Sequence, residues 1–162
     1  MRVFSFPGQV NEVAARLVAG VVATLSSLAF IWPSGWLVAA IAVGFVLRVA
    51  WGPAISPLAR AAVWVAPRLG APRWVPGRPK RFAQAIGAVV TLAGATLCAF
   101  GVVRIAQGLL GLLVVFASLE AFAGFCFGCW LFAHAQRRGW IGPDACQVCA
   151  PVAAHSPDGF PG

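Results

Sequence analysis

The chain has 162 residues, 60% of them hydrophobic and only 10% charged, with a formal net charge of +8. That balance lies outside the range of soluble globular domains, and the length leaves no room for a separate soluble catalytic domain beside a membrane one. The basic excess is spread between apolar blocks, without a stacking-aromatic motif or a soluble basic helix. It therefore excludes nucleic acid as a partner and reads as membrane topology.

In chain order, residues 1–12 form a polar lead in which Pro7 suits the first turn of a helix. No short apolar region ending in small residues marks a secretory signal. A first membrane span is expected over about 13–31, closed by Trp32-Pro33-Ser34-Gly35-Trp36, a turn whose tryptophans suit a membrane–water interface. A second span, about 36–51, is marginal in length and ends at Trp51-Gly52-Pro53. Residues 52–82 read as a basic interfacial loop. Within it, Ser56-Pro57 starts a short helix carrying Arg60 and Arg68, and a proline-rich basic stretch to Phe82 follows. The third span is expected over about 83–103. Arg104, Gln107 and Gly108 mark a turn, and the fourth span covers about 109–133. Residues 150–162 read as a disordered tail, and no strand alternation is visible.

The fold class expected is therefore all-α: a four-transmembrane-helix bundle, with a short cytoplasmic interfacial helix and a cysteine-containing C-terminal tail, forming one membrane domain over 1–149. Lys and Arg set its orientation. Arg60, Arg68, Arg73, Arg78, Lys80 and Arg81 fill the middle loop and Arg137 and Arg138 the tail, whereas the other two turns hold Arg104 alone. Basic loops stay in the cytoplasm, so both termini and the middle loop are expected inside, in a bacterial inner (plasma) membrane with the lipid bilayer as surroundings.

Chemistry concentrates between Glu120 and Cys149. Cys126-x-x-Cys129 and Cys146-x-x-Cys149 form the pattern C-x2-C-x16-C-x2-C. The topology puts both pairs at the reducing cytoplasmic face. This argues against an enzyme that makes disulfides for an oxidising compartment, as quinone-coupled disulfide oxidases do, and favours a metal site or a transient dithiol. Three readings stand: a thiol redox or sulfur-transfer site on all four cysteines, a four-thiolate zinc site on the same four, or small apolar residues without chemistry. For zinc, the spacing fits and Arg137 and Arg138 would offset the charge, with His134 as a substitute ligand; against it, zinc knuckles are turns and Cys126 and Cys129 fall in an apolar helix end. Cys98, in mid-span, reads as a small buried hydrophobe.

Glu120 is the one acidic residue inside an expected span, where burying a charge is costly. It reads either as a packing residue, protonated or hydrogen-bonded against Thr91, Thr96 or Ser118, or as a proton or ion site serving a small transporter component. Glu120, Gly124 and Gly128 recur every four residues as a small-residue stripe. On one continuous helix Cys126 and Cys129 fall on the opposite side, which makes Glu120 a poor proton relay for them. Arg48, near the inner end of the second span, is expected to snorkel to the interface.

Four stretches, FPGQVNEVAAR (6–16), WGPAISPLAR (51–60), PGRPKRFAQAIG (76–87) and LEAFAGFCFGCW (119–130), followed by CQVC (146–149), resemble a bacterial integral-membrane family, the domain of unknown function 4395. The resemblance spans about 4–149. It implies a multi-pass membrane protein without an assigned activity, sometimes encoded near thioredoxin-like or sulfurtransferase proteins, and so a soluble partner of that kind. Arg78 stands where the family usually has proline. No catalytic residue is carried over.

Overall fold

A computed structural model describes residues 8–142, so Pro7, Cys146, Cys149, His155 and the 150–162 tail lie outside the described residues. The chain opens with β1 (Gln9–Asn11) and passes directly into α1 (Glu12–Ile31). Asn11 makes that change of direction possible: its extended backbone ends the strand while its Oδ1 accepts from Val13 N at 3.0 Å, satisfying one of the free donors of the first turn. Trp32 to Ser34 turn the chain into α2 (Gly35–Trp51), and a single 3-10 turn, Gly52–Ala54, leads to α3 (Pro57–Leu69). Ser56 caps α3 through Ala59 N, with Pro57 at the first helical position, where a missing N–H costs nothing.

The strand β2 (Trp74–Pro76) then pairs antiparallel with β1, Val10 opposite Val75, and hands over at once to α4 (Gly77–Ala99). This two-stranded ribbon is a feature the sequence did not signal, because three-residue strands are too short to show alternation. Glu12 N donates to Arg73 O and Gly77 N to Gly8 O, so α1 and α4 start side by side from one ribbon. The basic stretch expected to be loop as far as residue 82 becomes helix at Gly77. Pro79 is tolerated because it lies in the first turn, where its ring breaks no intrahelical bond.

The next turn falls at Phe100–Val102, earlier than the expected Arg104–Gly108, with Gly101 at φ +76. Arg104, Gln107 and Gly108 belong instead to α5 (Val103–Ser118), and Gln107 Nε2 donates to Phe30 O at 3.0 Å. α5 runs into a π-helical segment, Leu119–Ala123. After Gly124 and Phe125 the chain starts again as α6 (Phe127–Arg137). The fourth expected span is thus not one helix over 109–133.

Among the described residues three helices are long and apolar enough to cross a membrane: Glu12–Ile31, Gly77–Ala99 and the continuous stretch Val103–Ala123; α2, at 17 residues, is shorter but equally apolar. They pack around a core of Val18, Val22, Val38, Ile41, Phe45 and Leu110. Small residues bring the helices close. The Phe45 ring of α2 occupies the space that a side chain on Gly87 of α4 would need, and Phe30 of α1 lies against Gly111 of α5. The outer faces stay apolar, with Val43, Val89, Ile105 and Val115 each more than half exposed. Trp32 and Trp36 stand exposed at one end of the bundle and Trp64, Trp74 and Trp140 at the other, the distribution that membrane interfaces select.

Candidate functional site

The buried charged side chains of the bundle, Arg48 and Lys80, lie towards the end that holds the ribbon. Because β2 delivers the chain into α4 at Gly77, the first turn of α4 turns Lys80 inward, 8% exposed, while Arg78 and Arg81 face out. Lys80 Nζ forms an ion pair with Glu120 Oε1 from the π-helical segment, and both side chains are largely buried, 9% and 14% exposed. One turn further along α4, Gln84 Oε1 accepts from Arg48 Nε of α2 at 2.7 Å, and the Arg48 guanidinium lies 4.5 Å from the Phe45 ring centroid.

Two sequence expectations are corrected here. Glu120 is met by a lysine, while Thr91 and Thr96 spend their hydroxyls on carbonyls of their own helix. Arg48 is buried and bonded across the bundle instead of snorkelling, because Gln84 supplies an acceptor within reach. Lys80 is the functional candidate that sequence reasoning missed. Its signal was present, since a lone carboxylate inside a span needs a cation, but Lys80 was counted with the loop charges.

The break after α5 builds the rest of the site. A π-helical turn carries an extra residue per turn and shifts the register of everything after it. Gly124 then takes φ +69, a left-handed conformation that an L side chain resists. Arg16 of α1 fastens the break by donating to Ala121 O (3.0 Å) and Phe122 O (2.7 Å), satisfying carbonyls that the helix end leaves free.

α6 is seated against α4 and α5. Gly128 touches Ala83 so closely that an added Cβ would lie 2.5 Å from the Ala83 Cβ. The Phe127 ring stacks on Phe116 at 4.3 Å and Phe132 meets Phe82 at 5.6 Å. Gly128 thus fulfils the close-contact part of the expected stripe, and Gly124 serves the break instead.

Cys126 is the N-cap of α6 and Cys129 sits in its first turn, with Trp130 N donating to Cys126 O at 3.0 Å. The two half-buried thiols touch, Cys129 Sγ donating to Cys126 Sγ at 2.9 Å. This hydrogen bond is the main reason the Cys126 thiol lies below the usual range, and the Lys80 charge acts in the same direction against burial and Glu120. The same bond, with burial, pushes Cys129 well above that range. Cys126 and Glu120 line one cavity with Gln84. The expectation that Glu120 faces away from the thiols fails because it assumed a continuous helix. His134 stacks on Trp130, centroids 5.5 Å apart, and does not join the thiols, while Cys98 packs at the far end near Gly35. Among the described residues no three His, Cys, Asp or Glu side chains gather as metal ligands would; Cys146 and Cys149, which the zinc reading needs, lie outside those residues.

Helices long and apolar enough to cross a membrane, around a buried ion pair and with a thiol pair just past a broken helix, point to a small helical membrane protein with a polar centre at one end of its bundle. The chain belongs to the family described as Domain of unknown function (DUF4395), whose model matches residues 10–137. No curated protein and no solved structure matches it. The matched residues run from β1 to the end of α6. They include Lys80, Glu120, Cys126 and Cys129 and stop short of Cys146 and Cys149.

Proposed function

We propose that this chain is a four-span protein of the bacterial inner membrane, with both termini cytoplasmic, that carries redox equivalents through the Cys126–Cys129 dithiol at the cytoplasmic face. α2 serves as the fourth span: 17 residues rise roughly 26 Å, and interfacial Trp36 and Trp51 extend its reach. The observation that carries the redox reading is the contact of two thiols at a helix N-terminus beside a lysine, the surroundings that stabilise a thiolate.

The reaction this arrangement supports is dithiol–disulfide exchange with a soluble thioredoxin-like or sulfurtransferase partner. The Cys126 thiolate attacks one sulfur of the partner's disulfide, and the partner's second sulfur leaves as a thiolate and takes up a proton. Cys129, once deprotonated, attacks the Cys126 sulfur, so that the intramolecular disulfide forms and the partner departs with both of its sulfurs reduced. Cys146 and Cys149 form a second dithiol on the tail that relays to the first.

The test is thiol chemistry on protein purified anaerobically. Alkylation of Cys126 follows the thiolate fraction, which rises with pH. Because Cys126 lies below the ordinary range, its alkylation rate levels off at a lower pH than that of a free cysteine, whose pKa is about 8.5. Removing the donor in Cys129→Ala moves that midpoint upward and leaves a long-lived mixed disulfide between Cys126 and an oxidised thioredoxin-like protein. Two thiols that titrate independently, with no trapped adduct in Cys129→Ala, would refute the reading. Stoichiometric zinc with all four thiols protected would replace it with a zinc-pinned structural protein.

A further inference from the structure

We infer that the cavity at the head of this site binds the ring of a lipid-soluble quinone, and that the Cys126–Cys129 dithiol passes two electrons to it. This rests on the redox reading of the cysteine pair and adds the membrane acceptor; the exchange with the soluble partner, run in reverse, lets a partner dithiol reduce the Cys126–Cys129 disulfide again. The cavity lies between α1, α2, α4, α5 and the start of α6 and has a volume of about 160 Å³. A cavity of about 150 Å³ lined by apolar side chains is enough to take up one benzene ring. Its walls are Val18, Val22, Phe45, Leu113 and Phe116, and its polar groups are Gln84, Glu120 and Cys126.

That composition selects among occupants. A lipid acyl chain would satisfy the walls and leave the Gln84 amide nitrogen facing hydrocarbon, at a cost. Water would satisfy the polar groups and wet the aromatic walls. A flat apolar ring bearing carbonyl oxygens suits the walls and accepts from the Gln84 amide, while Glu120 and Cys126 keep Lys80 and Cys129 as partners. Gln84 is prepared for one such oxygen, since Arg48 holds its Oε1 and leaves its amide nitrogen as the donor. Leu112 in the cavity wall is 48% exposed, so the cavity reaches the apolar outer face of the bundle, where a lipid-soluble molecule would enter.

The transfer balances without any further reactant. The Cys126 thiolate adds to a ring carbon, and Cys129 attacks the Cys126 sulfur. The S–S bond forms as the C–S bond breaks, and that electron pair moves into the ring. The Cys129 proton and the one that Cys126 gave to water on becoming a thiolate end on the two ring oxygens, so dithiol plus quinone gives disulfide plus hydroquinone. Electrons pass from thiols into the membrane, as they do when disulfides are made for an oxidising compartment, but the thiols oxidised here are cytoplasmic.

Reduced protein in nanodiscs, held under argon, is mixed with tetramethyl-1,4-benzoquinone, which has no unsubstituted ring position for lasting thiol addition. Expected is one hydroquinone formed for each Cys126–Cys129 disulfide, with a rate that saturates in quinone and is slowed by the redox-inert 1,4-dimethoxytetramethylbenzene. Val90→Phe, which fills the cavity from α4, lowers the rate at least tenfold while exchange with a glutathione redox buffer is unchanged. Val89→Phe, on the outward face at 67% exposure, leaves the rate unaltered. Inhibition by the inert ring keeps the inference testable if Val90→Phe fails to fold. Should the quinone leave the thiols reduced while a protein disulfide oxidises them readily, the cavity holds an acyl chain and this inference fails alone. Saturable quinone binding to a pair that no oxidant converts to a disulfide would overturn the redox reading and the electron transfer together.

Discussion

The Lys80–Glu120 pair gives the sharpest test of the structure, because the two placements considered for Glu120 predict opposite results. A neutral Glu120 packed against a hydroxyl makes Glu120→Gln nearly harmless. A Glu120 paired with Lys80, at 14% and 9% exposure, makes the same change leave a buried ammonium without its counter-charge. Surface ion pairs are worth about 0–1 kcal/mol, whereas removing one partner of a buried pair costs about 3–5 kcal/mol. An upper limit comes from proton loss. A stranded lysine can shed its proton, and from an ordinary pKa of about 10.4 that costs about 4 kcal/mol at pH 7.5. Glu120→Gln should therefore lose about 3–4 kcal/mol, and Lys80→Met, which strands the carboxylate, a comparable amount. The double variant Lys80→Met/Glu120→Leu removes both charges and should return to within about 1 kcal/mol of the parent. Reversible unfolding in mixed micelles of rising SDS fraction reads these differences as a double-mutant cycle. Single variants within about 0.5 kcal/mol of the parent would refute the buried pair and place Glu120 in contact with water.

Two further perturbations address the break and the orientation. Gly124→Ala forces an L side chain into φ +69 and should cost about 1–2 kcal/mol, with Gly124→Asn losing less because asparagine visits that conformation more readily; equal stability of all three would mean the turn is not left-handed. In a cysteine-free background, cysteines introduced at Ser34 and Gly101 should react with an impermeant maleimide from outside the cell and one at Gly70 should not. Labelling of Gly70 from outside would reverse the orientation and, with it, the compartment in which the thiols work.

The regular part of the fold was legible in the sequence because long apolar blocks leave few options in a membrane. The expected spans 13–31 and 36–51 correspond to α1 and α2 within a residue or two, and Ser56-Pro57 located the start of α3. What escaped depends on contacts distant in sequence. The ribbon exists because residues 9–11 meet residues 74–76, and no local pattern in three residues reports that pairing. Lys80 became a bundle residue for the same reason: the ribbon starts α4 at Gly77, six residues earlier than hydropathy suggested. Both changes trace to Gly8–Asn11, a lead that carries too little apolar surface to be noticed.

The break at 119–126 shows why the site could not be derived from helical periodicity. The segment LEAFAGFCFGCW is apolar enough to continue a span, and alanine, leucine and phenylalanine give no stop signal. Gly124 alone is tolerated in a membrane helix. It becomes a terminus because Arg16, more than a hundred residues earlier, collects the carbonyls at 121 and 122 that an unbroken helix would bond internally. That exchange of backbone partners has a chemical consequence. On a continuous helix Glu120 and Cys126 would diverge by about 240°; with the π-helical turn and a left-handed residue between them they line the same cavity. The pairing of Cys126 with Cys129 likewise depends on α6 beginning at residue 127, since only there does one thiol occupy the cap and the other the first turn above it. Arg16 is therefore a positioning residue for a thiol pair it does not touch. Its influence passes through the backbone, and the sequence places it among the ordinary basic residues of a membrane helix end.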